Sequence, residues 1–372
     1  MLSEKLKKKI KENGPIPFRD FMEECLYDSG YGYYTGCCLR IGSKGDFVTS
    51  PHTGPLFGAL ISRQLMEFHR ILGQERLSII EMGAGVGYLA RDILTALREE
   101  ALTNIEYIIV EPNPNTVSIQ RETMGAFQDT VRWVKAIGYI LPGDHCLISN
   151  ELLDAFPVHL IRKSGGAFQE IHIDFREGHG FIESSREPST AELGLYIEEL
   201  PGDIQEPYTT EVNLGIKAWI HDVARVISRG FVMTIDYGYT RKEYFAPFRS
   251  RGTLLAYSEQ KVYEDLLAKP GEQDLTAHVN FSDLDRWGKE AGFRTVGYTP
   301  QWAFLGGLDF EEVARKSMGG NFEPFSPKLA GIKALILPQG MGSTHKVMVQ
   351  SKGLETTPAL KGFKIKNMSS CL

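Results

Sequence analysis

The chain predicts an α/β fold built on a largely parallel sheet, and three observations carry that reading. Short apolar bursts at 77–82, 105–110, 131–134 and 146–149 have the length and composition of buried strands. An amphipathic stretch at 88–102 separates the first two, so the strands it joins run parallel across a helical crossover. A further burst of the same kind, 230–236, follows a helix predicted over 211–227.

The other elements follow in order. Leu2, Leu6 and Ile10 repeat at helical spacing, and the segment breaks at Asn13-Gly14-Pro15. A second helix is predicted over 18–26. Residues 28–55 are dense in Gly, Tyr, Ser and Pro, the composition of an ordered loop. Phe57, Leu60, Ile61, Leu65, Phe68 and Leu72 form one face of a helix over 55–72. Beyond Pro157, apolar segments at 158–162 and 168–175 flank Gly165-Gly166, which supplies the positive φ angles of a hairpin turn. Residues 237–280 read as loop-rich, late strands are predicted at 293–299 and 346–350, and the tail is polar. Two helices and a hairpin added to one sheet describe this order better than two independent domains.

Composition narrows the function classes. The chain has 372 residues, 47 acidic and 41 basic, for a net charge of −6. That balance argues against a general polyanion binder, and the lysine cluster at 5–11 reads as a solvated helix face rather than a nucleic-acid strip. Cys25, Cys37, Cys38, Cys146 and Cys371 form no C-x-x-C pair, which fits free thiols in a reducing compartment. No signal-peptide h-region and no membrane-length apolar run is present, and a cytoplasmic location is expected. His52, His159, His172 and His179 lack ligand spacing, so no metal site is expected.

The strongest local signal is Glu81-Met82-Gly83-Ala84-Gly85-Val86-Gly87, a glycine loop between an apolar strand and a helix. Dinucleotide loops read G-x-G-x-x-G, whereas Gly83, Gly85 and Gly87 stand two apart, with Glu81 two before Gly83. A carboxylate beside the loop suits a ligand bearing an ammonium and repels a pyrophosphate, which disfavours a nicotinamide dehydrogenase. The next strand ends in Glu111-Pro112, 24 residues beyond Gly87. A carboxylate there can accept both hydroxyls of a ribose. The competing reading of the loop is a turn for close helix–strand packing.

These features resemble the motif of S-adenosylmethionine (SAM)-dependent methyltransferases. Ordered segments extend the likeness: IPFRDFM at 16–22, GYGYY at 30–34, GDFVTSP at 45–51, EMGAGVG at 81–87, SNELLDAFP at 149–157 and DLTAHV at 274–279. Over about residues 16–350 the chain resembles the MidA-like methyltransferases, whose mitochondrial members act in complex I assembly. It departs from that family's pattern at His52-Thr53-Gly54-Pro55 and at Asn280. The resemblance implies a seven-stranded, Rossmann-like class I methyltransferase sheet with an N-terminal helical cap and inserted hairpin and helical segments. The corresponding plan is a cap over 1–72, the first half of a SAM-binding core over 73–157, an inserted hairpin over 158–210, the second half of the core over 211–351 and a tail over 352–372.

The resemblance further implies methylation of a protein arginine, with a respiratory complex I subunit as partner. Cofactor contacts are expected from Glu81, Gly83, Ala84, Gly85, Gly87, Glu111 and Pro112, and from the hydroxyls of Thr49 and Ser50 unless those belong to a structural turn. For the transfer, Asn150 and Glu151 end the fourth strand, and Asp154 falls three residues on, where one helical turn presents both acids on one side. Asp154 is equally readable as a helix-capping acid. His278 is a base, a substrate contact or a structural hydrogen-bonding group. Two other outcomes stay open: methylation of a small molecule or RNA, and a SAM-binding assembly factor without essential catalysis.

Overall fold

The computed structural model describes residues 1–36, 50–258, 261–317 and 327–372. Thr49, Cys37 and Cys38 lie outside the described residues. The chain forms two compact units, one of Val48–Leu152, Trp219–Gly238 and Phe281–Leu372, the other of Met1–Phe47, Leu153–Ala218 and Tyr239–Asn280.

The first unit is built on a sheet of β1 (Leu77–Met82), β2 (Ile105–Val110), β3 (Val131–Val134), β4 (Gly143–Asn150), β5 (Ile227–Tyr239), β6 (Arg294–Pro300) and β7 (His345–Lys352). Their order across the sheet is β6-β7-β5-β4-β1-β2-β3. Strands β3, β2, β1, β4 and β5 run parallel, whereas β7 is antiparallel to both β5 and β6. The chain leaves β1 toward β2 and β3, then returns to its other side as β4. Such a reversal opens a crevice at the carboxyl ends of the strands. The strands are nearly continuous apolar runs because both faces are covered.

Three helices in this unit bear on the crevice: α1 (Leu56–Leu72), α2 (Tyr88–Glu99) and α3 (Pro114–Met124). The predicted stripe of α1, Phe57 through Leu72, is buried. Phe68 stacks on Phe231 of β5 with ring centroids 4.1 Å apart. A phenylalanine so buried contributes about 1.5–3 kcal/mol. Helix α1 stops at Gly73, whose left-handed φ of 63° lets its N–H donate to the His69 carbonyl. Helix α3 starts at Asn113, whose side chain accepts from the Asn115 N–H, with Pro114 in the first turn.

The second unit has sheets of its own, so the added segments do more than extend one sheet. The predicted hairpin forms from His159–Ser164 and Ala167–Arg176, and Gly180–Arg186, Tyr208–Val212 and Ile16–Pro17 join it. Helices Leu2–Asn13 and Phe18–Tyr27 contribute Leu6, Ile10, Phe21, Met22 and Leu26 to one core with Leu160, Ile171 and Ile173. This unit needs a core of its own because the hairpin strands have one apolar face to cover. Residues 237–280, read from sequence as loop-rich, contain a small sheet of Leu255–Ser258, Lys261–Tyr263 and Asp274–Thr276. Buried Glu211 fastens that segment, accepting from the N–H groups of Thr253 (2.8 Å) and Leu254 (2.9 Å). The lysine cluster is internally paired: Lys5 and Lys9 contact Glu24, Lys7 contacts Glu4, Lys8 contacts Glu12 and Lys11 contacts Glu177. Among the described residues, no helix is long and apolar enough to cross a membrane.

Candidate active site

The glycine loop joins β1 to α2. Gly83, Gly85 and Gly87 all adopt positive φ, at 77°, 53° and 89°, a conformation that side chains disfavour. Gly83 and Gly87 also serve packing: a Cβ at Gly83 would lie 3.1 Å from Leu152 Cδ1, and one at Gly87 would lie 2.9 Å from Met124 Cε. The packing reading of the loop is therefore met at Gly83 and Gly87. Ala84 and Val86 are buried between the glycines. Helix α2 has Gly87 as its N-cap and no capping side chain, so its first N–H groups are available to an anionic group.

Glu81 lies at the end of β1 with only 1% exposure. Tyr107 donates its hydroxyl to Glu81 Oε2 at 2.7 Å. Burial pushes this carboxyl up to about 7, against the smaller lowering effect of the Tyr107 hydrogen bond. A carboxyl raised on folding stabilises the native state most below its unfolded value, and the contribution disappears as pH rises through the folded value. We therefore expect the ligand-free protein to lose on the order of 3 kcal/mol to this group between about pH 4.5 and pH 8. Thermal melts of wild type and Glu81→Gln across that range check this: the variant lacks that part of the decline, and parallel curves would refute it.

Glu111 is anchored at the end of β2. Its Oε1 accepts from the Asn113 N–H at 2.9 Å, and burial raises its carboxyl above the usual range. Gln120, which the sequence reading missed, ties the crevice together. Its amide donates to the Gly85 carbonyl at 2.8 Å and reaches Glu111 Oε2 at 3.4 Å, while its oxygen accepts from Trp133 Nε1 at 3.0 Å. The available signal was a polar residue in the buried stripe Thr116, Gln120, Met124 of α3. Pro112 is exposed beside Glu111.

A second cluster ends β4. Asn150 is 7% exposed, and its Nδ2 donates to Glu151 Oε1 at 3.4 Å. Glu151 takes a left-handed φ of 49°, which costs a non-glycine residue about 1–3 kcal/mol and concentrates at functional positions. The Ser50 N–H donates to the same Oε1 at 3.3 Å. The expectation for the Ser50 hydroxyl is corrected: it faces Gln301 Oε1 and Met341 Sδ, both at 3.3 Å, and only the backbone of Ser50 meets the acid. His345, also missed, stands with Nε2 3.6 Å from Glu151 Oε1.

Asp154 and His278 belong to the other unit. No α-helical turn carries Glu151 and Asp154, because Glu151 is left-handed and Leu153–Ala155 is a single 3-10 turn. Pro157 disfavours helical backbone at Phe156 and so prevents the turn from growing. Asp154 is buried, and its carbonyl accepts from the Ala277 N–H at 3.0 Å. His278 stacks on Tyr239 with centroids 5.1 Å apart, its N–H donating to Thr253 Oγ1 at 3.0 Å.

Residues 60–299 match the family model described as "Putative S-adenosyl-L-methionine-dependent methyltransferase". A Burkholderia thailandensis protein crystallised with S-adenosyl-homocysteine (SAH) bound is 32% identical, covers 100% of this chain and 96% of its own, and superposes with a TM-score of 0.91. Among curated relatives, the Drosophila melanogaster "Protein arginine methyltransferase NDUFAF7 homolog, mitochondrial" is 27% identical over 95% of this chain and 85% of its own. The Homo sapiens "Protein arginine methyltransferase NDUFAF7, mitochondrial" is 25% identical over 90% and 79%. These names overturn the cytoplasmic expectation. Free thiols and a missing h-region fit any reducing compartment, so they never singled out the cytoplasm. The glycine spacing, the acid ending β2 and the full-length likeness converge on one assignment: the chain belongs to the family of SAM-dependent methyltransferases.

Proposed function

We propose that this methyltransferase modifies arginine side chains of a protein, with a respiratory complex I subunit as the acceptor. The observation that carries the reading is Glu151, just past β4, whose carboxylate accepts two long hydrogen bonds among the described residues, from the Ser50 N–H and Asn150 Nδ2. A guanidinium is cationic at any working pH and presents a planar fork that a carboxylate matches. The names of the curated relatives add weight, and the MidA-like resemblance supplies the complex I class.

SAM, when bound, supplies an electrophilic methyl group on a positively charged sulfur. The residues assigned to it are Glu111 for the ribose hydroxyls, the N–H groups of Ala84 through Val86 and the uncapped start of α2 for its carboxylate, and Glu81 as countercharge to its ammonium. Glu151 and Asn150 hold the acceptor nitrogen in line with the methyl carbon, which removes the entropic cost of meeting. Of the two acids expected to orient the acceptor, only Glu151 enters this proposal.

The test is incubation of the protein with methyl-labelled SAM and extract from cells lacking the gene. Label recovered as methylarginine from a discrete protein band is the expected result. Label confined to RNA or to a small-molecule fraction would defeat the reading.

A further inference from the structure

Because β7 is antiparallel, it begins where the parallel strands end. Its first residue, His345, is opposite Tyr237 of β5, on the edge to which β4 delivers Asn150 and Glu151. His345 is 6% exposed. Its Nδ1 lies 3.2 Å from Thr344 Oγ1, and the Tyr237 ring meets it edge-on at 5.5 Å. Among the described residues, Nε2 is buried without a hydrogen-bond partner, and its 3.6 Å separation from Glu151 Oε1 exceeds hydrogen-bonding distance. Asn150 Oδ1 is likewise buried without a partner among the described residues. Two unsatisfied polar atoms flanking one carboxylate point to a ligand that completes them.

We propose that His345 Nε2 accepts the proton released when an arginine held by Glu151 is methylated, an inference that rests on the arginine reading above. A guanidinium nitrogen forms its bond to the methyl carbon as the carbon–sulfur bond breaks, with the electron pair leaving on sulfur. The N–H proton passes to Nε2. Two cations, guanidinium and sulfonium, thus become methylguanidinium and imidazolium, and the thioether leaves neutral. Glu151 keeps its charge throughout and continues to hold the acceptor, whereas a carboxylate taking the proton would release it. An imidazole is the side chain whose ordinary basicity matches the working pH. Among the described residues, the ionisable groups nearest it in sequence and register are Glu151 just past β4, Asp236 and Tyr237 at the end of β5, Lys346 on β7 and His52 in the Ser50–Thr53 turn. Lys346 directs its ammonium onto the carbonyls of Ser343 and Thr344.

The experiment compares full-length wild type with His345→Ala and His345→Gln, using methyl-labelled SAM and extract from cells lacking the gene, and reads methylarginine and SAH affinity separately. Both variants should keep SAH affinity within about threefold and lose about 100-fold or more in rate. Added imidazole should restore the alanine variant in proportion to its concentration and leave the glutamine variant unchanged. Wild type and the glutamine variant should also differ in the pH dependence of the rate. A wild-type rate in either variant, or an alanine variant that imidazole does not restore, overturns the proposal while methylarginine formation by wild type still upholds the acceptor reading. Absence of methylarginine with wild type overturns both.

Discussion

Glu151→Gln should lower the methyl-transfer rate by about 10²- to 10⁴-fold while SAH affinity stays within about threefold. Glutamine keeps the size and shape of the side chain, so the Ser50 N–H and Asn150 Nδ2 retain an oxygen to donate to. What disappears is the negative charge and the second equivalent oxygen that a guanidinium fork requires. The left-handed backbone at Glu151 is unaffected, since glutamine occupies it no more easily than glutamate. The groups assigned to the cofactor lie at the end of β1, in the loop to α2, at the start of α2 and just past β2, and none of them is Glu151, which is why binding and transfer should separate. Single-turnover measurements with saturating labelled SAM, alongside calorimetry with SAH, give both quantities. Transfer at the wild-type rate would remove Glu151 from the mechanism.

The parts of this site that sequence alone revealed share a property: their signals are local. An apolar burst, an acid and three glycines two apart fall within eleven residues, 77–87, and β1, its loop and α2 form where they predict. Glu111 was legible for the same reason, as the end of an apolar strand. The residues that escaped are brought in by pairing across the sheet. His345 begins its strand, whereas in a parallel sheet the residues at the crevice end their strands. Its place beside Tyr237 follows from the antiparallel register of β7 on β5, which no local pattern announces. Strand Gly180–Arg186 was also missed: it pairs with one neighbour, and several of its side chains are half-buried or exposed, so its alternation is weak. The helical turn expected for Glu151 and Asp154 does not form, because Glu151 is left-handed and Pro157 disfavours helical backbone at Phe156.

Gly85→Val should weaken SAH binding by about 100-fold or more, equivalent to roughly 2.7 kcal/mol, and leave the protein folded. At a φ of 53° a β-branched side chain is strongly disfavoured, so the loop must re-form around residue 85. The damage should not stay there. The Gly85 carbonyl holds Gln120, and Gln120 in turn contacts Glu111 and Trp133, so a displaced carbonyl loosens the acid assigned to the ribose as well as the loop assigned to the amino-acid end. Both losses fall on one ligand, whereas the core strands beneath keep their packing and the fold should pay about 1–3 kcal/mol. Gly85→Ala separates the two causes: alanine tolerates left-handed backbone better than valine and should lose less affinity, while Gln120→Leu removes the link to Glu111 without straining the loop and should fall between wild type and the valine variant. Calorimetry with SAH and thermal melts on the three variants test the order. A folded Gly85→Val protein that binds SAH as wild type does would mean that the cofactor does not approach the backbone between β1 and α2.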